Sequence, residues 1–180
     1  INRIKNPVAR IDALGELMVA RMANQQPNKI KLLNARVRLD LDRIDDVGVK
    51  AMVILRLGKS LGLAGVTGEP GQSMERIAAM AVESSDTLAA AGLYATLATA
   101  YAQAGNHGQE GSHFANAQRA VASMKHIADR IAAFTRIAQR YYDARNTTLA
   151  NEILSEASIL AATELGPASR SVAFGEIAVA

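Results

Sequence analysis

Cysteine is absent from all 180 residues, so disulfides, thiolate metal sites and thiol nucleophiles are excluded together. Tryptophan is absent too, and aromatics make up only 4% of the chain. A core with so few large rings must be filled by small and aliphatic side chains at close range. Apolar residues nevertheless reach 49%, which excludes wholesale disorder. Alanine supplies much of that share, and alanine is the best helix former and a poor sheet residue. No apolar run reaches the roughly 18–20 residues that span a bilayer, so a transmembrane segment is not expected. Lack of cysteine tips the expected compartment slightly from the cytoplasm toward export of a soluble protein. With Ile1 in place of a starting methionine, and an apparent helix "SVAFGEIAVA" at the other end, the sequence reads as part of a longer chain in which a signal peptide could precede Ile1.

The two signs nearly balance, at a net +3, but are unevenly placed. Residues 1–60 carry 12 Lys or Arg against 6 Asp or Glu; residues 61–180 carry 8 against 11. The basic stretch "NKIKLLNARVRLDLDR" holds Lys29, Lys31, Arg36, Arg38 and Arg43, with Asp40, Asp42, Asp45 and Asp46 close enough to neutralise much of it. A solvated, self-paired helix face is the expectation. Without interleaved aromatics the stretch makes a poor nucleic-acid surface.

A repeat is present. Tyr94, Leu97, Ala98 and Tyr101 recur forty residues later as Phe134, Ile137, Ala138 and Tyr141, and again as Phe174, Ile177 and Ala178. Going backward, the same slots hold Ile54, Leu57, Gly58 and Leu61, then Leu14, Leu17, Met18 and Arg21. Large, large, small, large at offsets 0, 3, 4 and 7 is one face of an α-helix. A second helix repeats in step, with Phe114 and Ala117 matching Leu154 and Ala157, Met74 and Ile77, and Asn34 and Val37. Turn residues separate the two: "NQQPN", "GVTGEPGQ", "AGNHG" and "ARNTT". Asn106 and Asn146 share one phase, as expected of a helix stop. A basic residue recurs just before the first helix, as Arg10, Lys50, Arg130 and Arg170, with Ala90 the exception.

The predicted map is nine helices, at about 7–24, 28–45, 47–64, 72–84, 86–104, 109–124, 126–145, 147–165 and from 167 onward. "RVRLDLDRI", residues 36–44, alternates like a strand, but Ile30, Leu33, Val37, Leu41 and Ile44 also keep helical spacing, and helix is the expectation. Units fall at about 7–46, 47–85, 86–125, 126–165 and a partial 166–180, forming a single helical-repeat domain. One hairpin has too little core alone, so neighbours must stack.

The pattern resembles the tetratricopeptide (TPR) repeat. Residues 134–157 match best, through Phe134, Ile137, Ala138, Tyr141, Ala150, Leu154 and Ala157. Residues 94–117 depart once, at Glu110, where the motif has a small residue. Arg21, Asn34 and Pro70 depart in the first two units, and the period of 40 exceeds the usual 34. A HEAT-like stack is the alternative. The resemblance implies an all-α, right-handed solenoid of antiparallel helix hairpins, whose concave groove is lined by first helices and holds peptides or proteins. Side chains off the packing stripe would then face the groove. Leu55 and Lys59, Thr99 and Gln103, and Thr135, Gln139, Tyr142 and Asp143 are the candidate partner contacts, with Tyr142 as an aromatic anchor.

Chemistry is thin. His107, His113 and His126 are the only histidines. His107 and His113 flank the turn "GNHGQEGSH" with Glu110 between them, and are expected to be exposed turn residues rather than ligands. "GVTGEPG" lacks the flanking strand and the Lys-Ser/Thr of a phosphate loop. No nucleophile elbow or paired carboxylates occur, so no cofactor, metal or catalytic residue is expected. The function expected is a non-enzymatic scaffold that binds a protein or peptide; the alternative is a structural repeat that assembles with itself through the solenoid ends.

Overall fold

Side chains left the repeat as the main guide to architecture, and the helices follow it closely. The computed structural model describes residues 4–24, 27–63 and 69–179; the side chains of 27–29, 31, 69, 70 and 179 lie outside that part. Nine helices and no strand occur among the described residues: α1 Pro7–Ala23, α2 Pro27–Leu41, α3 Val47–Leu63, α4 Glu69–Glu83, α5 Thr87–Gln103, α6 His107–Ala122, α7 Ile127–Asp143, α8 Thr147–Glu164 and α9 Pro167–Val179. The fold is all-α. Residues 36–41 are helical, so the alternation there reflects exposed arginines beside leucines rather than a pleat. The turn "GVTGEPGQ" is shorter than expected, because α4 already begins at Glu69. Pro70 then sits in its first turn, where a missing N–H costs little. Residues 65–68 of that stretch lie outside the described residues, as do the side chains of Lys29 and Lys31.

Helix starts repeat at the same period as the cores. Asn6 accepts from the N–H groups of Val8 and Ala9 at 2.9 and 3.2 Å, and Asp86 does the same for Leu88 and Ala89. Asp46, midway between them, accepts from Val49 N–H at 2.8 Å. Each satisfies donors that a first helical turn leaves open. At the next step His126 has the same extended backbone but makes no side-chain cap. The recurring basic residues do not precede the helices; Arg10, Lys50, Arg130 and Arg170 each occupy the fourth helical position. Two of them reach backward to tie down the incoming chain, Arg10 to the Ile4 carbonyl at 2.8 Å and Arg170 to the Leu165 carbonyl at 2.9 Å.

The chain divides into two units, residues 1–77 and 78–180. In the first, α1 packs on both α2 and α3. Ile11, Leu14 and Met18 of α1 are fully buried, with Val37 and Leu41 of α2 and Ile54 and Leu61 of α3 also buried. α1 and α3 come close at Gly15, where a Cβ would lie 2.9 Å from Leu57 Cδ1 and would make that side chain turn aside. An ion pair clamps α1 to α2. Arg10 Nε and Nη2 donate to Asp40 Oδ2 and Oδ1 at 2.7 and 2.5 Å, and Arg43 adds a contact at 3.2 Å. Hydrogen bonding from Arg10 holds the Asp40 carboxyl below its ordinary range, against the opposing effect of burial. Self-pairing within the basic stretch is thus narrower than expected. Asp40 serves α1 chiefly, Asp46 caps α3, and Arg36 and Arg38 form no ion pair among the described residues.

The second unit contains all seven aromatic residues. Its hairpins α5–α6 and α7–α8 pack internally, α5 packs on α7, and α7 packs on α9. Small residues allow this, with Ala91, Ala95, Ala98, Ala133, Ala138, Ala150 and Ala157 all buried around Ile137 and Tyr141. Phe114 meets the edge of Tyr141, with ring centroids 5.6 Å apart. The two hairpin turns are superimposable in their bonding. Gly105 and Arg145 have positive φ, at 73° and 62°. Asn106 and Asn146 N–H donate to Tyr101 and Tyr141 carbonyls at 2.9 Å, and the preceding N–H groups bond to Ala102 and Tyr142. This is the doubly bonded left-handed helix stop. The asparagines are therefore not the left-handed residues; their side chains cap the following helix through Gln109 and Leu149 N–H, both at 3.2 Å.

Candidate partner-binding groove

The candidate contacts fall in three places. Thr135, Gln139, Tyr142 and Asp143 share one face of α7, as their spacing requires. Thr135 Oγ1 donates to the Ile131 carbonyl at 2.9 Å, and Gln139 donates to Asp143 at 3.1 Å. Tyr142 is 54% exposed, while its neighbour Tyr141 is fully buried. On α5 the stripe is largely closed. Thr99 is buried and donates to the Thr96 carbonyl at 2.9 Å, so it is unavailable to a partner, and only Gln103 at the helix end is exposed. α5 buries residues on nearly every side, which leaves it no free face. In the first unit Leu55 is half-buried and Lys59 exposed, one turn apart on α3.

A shallow groove lies between the second helices, α6 and α8, with a volume of about 320 Å³. Phe114, Leu149 and Ile153 form its apolar floor, and Glu152 and Glu156 stand exposed along one rim. Ile159 adds a further apolar residue to the lining and is 62% exposed. The spacing Leu149, Glu152, Ile153, Glu156 places each carboxylate one turn from an apolar residue. The groove thus offers a greasy bed and a negative edge. Sequence reasoning did not find it, because the resemblance directed attention to first helices.

Compared with known proteins, the chain matches no family model, no curated sequence and no solved structure.

His113 departs from its expected exposure. It lies within α6, not in a turn, and its ring stacks between Tyr94 and Tyr101 with centroids 6.2 and 5.2 Å away. Burial pushes its pKa below the ordinary imidazole value. His107 is exposed and contacts Glu110 at 2.8 Å. Glu110, the odd residue in a small-residue slot, keeps its side chain largely covered and lies near Tyr141. Burial first, then the Glu110 charge, pushes the Tyr141 hydroxyl well above its usual range, and that hydroxyl has no hydrogen-bond partner among the described residues. No group of three or more His, Asp or Glu converges as a metal site among the described residues. None of their helices is long and apolar enough to cross a membrane.

Proposed function

We propose that this chain is a non-enzymatic helical-repeat scaffold whose hairpins stack as a TPR-like right-handed solenoid and whose surface holds a protein or peptide segment. The α6–α8 groove carries the reading: an apolar floor beside two exposed carboxylates suits one face of an amphipathic helix with basic flanks. The pairing of α5 on α7 and α7 on α9 fits hairpins stacked through their first helices. Tyr142, with Gln139 and Asp143 beside it, offers a second contact face on α7. A panel of synthetic amphipathic helices of graded charge, titrated against the intact chain, tests the reading. Basic members should bind, and Ile159→Lys, on an already exposed residue, should weaken them about tenfold or more by removing apolar surface and adding like charge. A panel in which no member binds, or in which Ile159→Lys changes nothing, rejects the groove as a scaffold site.

Self-assembly through the exposed face of α9 is the second reading, favoured by one feature. On α9, Val172 is 65% exposed and Phe174, in the repeat's aromatic slot, is 40% exposed, whereas its counterpart Phe134 is buried.

A further inference from the structure

α2 leaves a stripe of its surface uncovered that has the opposite character to the groove. Leu32 and Leu39 are 72% and 63% exposed. Seven residues apart, they lie on one face of the helix about 10.5 Å from each other. Arg36 lies between them on the same face, and Arg43 is exposed in the turn just past the helix, where it also contacts Asp40 at 3.2 Å. The nearest acid, Asp40, is buried against α1, where it is bonded chiefly to Arg10 and at longer range to Arg43, while Arg36 makes no ion pair among the described residues. Along α8, Leu149 and Ile159 are separated by about 15 Å, so two leucine knobs at 10.5 Å fit within the apolar bed. Glu152 and Glu156 then run beside them on the exposed rim.

Building on the reading of the groove as a binding surface, we infer that its occupant is α2 of a second copy of this chain. Leu32 and Leu39 seat along the bed that runs from Leu149 to Ile159 beside Phe114, and Arg36 and Arg43 face Glu152 and Glu156. The contact is heterologous, since one copy supplies the helix and the other the groove. Charge complementarity of exposed groups gives it specificity and makes it sensitive to salt.

Solution mass of the intact chain by light scattering, across roughly 10 µM to 1 mM, the range of a small interface, is the test. Mass should rise above the 19.1 kDa monomer with concentration and fall back as salt is raised. Glu152→Lys with Glu156→Lys in one variant, and Arg36→Glu with Arg43→Glu in another, should each weaken self-association about tenfold or more. Mixing the two should restore association, now between unlike copies. Because Arg43 also touches Asp40, helicity of the second variant is checked by circular dichroism. Leu32→Glu with Leu39→Glu, which alters no buried group, provides an independent arm and should give a monomer. A monomer at every concentration overturns the inference, while the peptide panel still decides separately whether the groove binds. Association untouched by the charge swaps, or abolished by Phe174→Glu on α9, also overturns it and points to the α9 contact.

Discussion

The turns at 104–106 and 144–146 share one backbone and differ at its centre. Gly105 enters the left-handed region without a steric penalty, whereas Arg145 does so against the clash of its Cβ. The hydrogen bonds on either side agree to within about a tenth of an ångström or two. What recurs every forty residues is therefore a bonding geometry, with residue identity free to drift where the flanking bonds hold the chain in place. The same drift shows at helix starts, where Asn6, Asp46 and Asp86 cap and His126 does not.

Truncation of the matched core residues Leu97 and Ile137 should produce the largest effects. Each is essentially inaccessible, and replacement by alanine is expected to cost about 2–5 kcal/mol in denaturant unfolding. A much smaller loss for one would show that the two hairpins are not equivalent. Next come the turns themselves. Gly105→Arg should lose about 1–2 kcal/mol. Arg145→Gly should gain less, about 0.5–1 kcal/mol, because glycine's greater freedom in the unfolded chain offsets part of the relief. Equal and opposite changes would refute the strain assigned to Arg145. Third, His126→Asp should raise stability by about 1 kcal/mol by supplying the missing cap; no shift in the melting temperature would mean that the α7 start is not open to capping.

The smallest expected effect is on pH dependence, and it separates the hairpins by chemistry. His113 in the α5–α6 hairpin has a folded-state pKa below its unfolded value of about 6.5. Its contribution is therefore complete above that pH and is lost as the pH falls below it, when the unfolded chain takes up the proton more readily. Thermal melts at pH 7.5 and 5 should show this drop, and His113→Phe should flatten it while keeping the stack with Tyr94 and Tyr101. An unchanged slope in that variant would place the titrating group elsewhere.

Helix number, type and most boundaries were legible in the sequence, because periodic apolar faces and Asn, Gly and Pro punctuation are local signals. The left-handed Arg145 was not legible, since arginine gives no turn signal and only its bonded neighbours hold it there. Burial of His113 depends on two tyrosines seven residues apart on another helix, a tertiary fact. Thr99 looked groove-facing from its offset, yet α5 is covered nearly all round. The second-helix groove escaped because its parts, Phe114 and Ile159, lie 45 residues apart on α6 and α8.

Confinement of every aromatic residue to residues 94–174 makes the molecule spectroscopically one-sided. Tyrosine fluorescence and near-ultraviolet dichroism can report only on the second unit, undisturbed by any indole, while the first unit is optically silent at those wavelengths. Far-ultraviolet dichroism sees the helices of both. A melt followed by the two signals in one cuvette therefore distinguishes concerted unfolding, in which the curves coincide, from sequential unfolding, in which they part, without a label or a substitution.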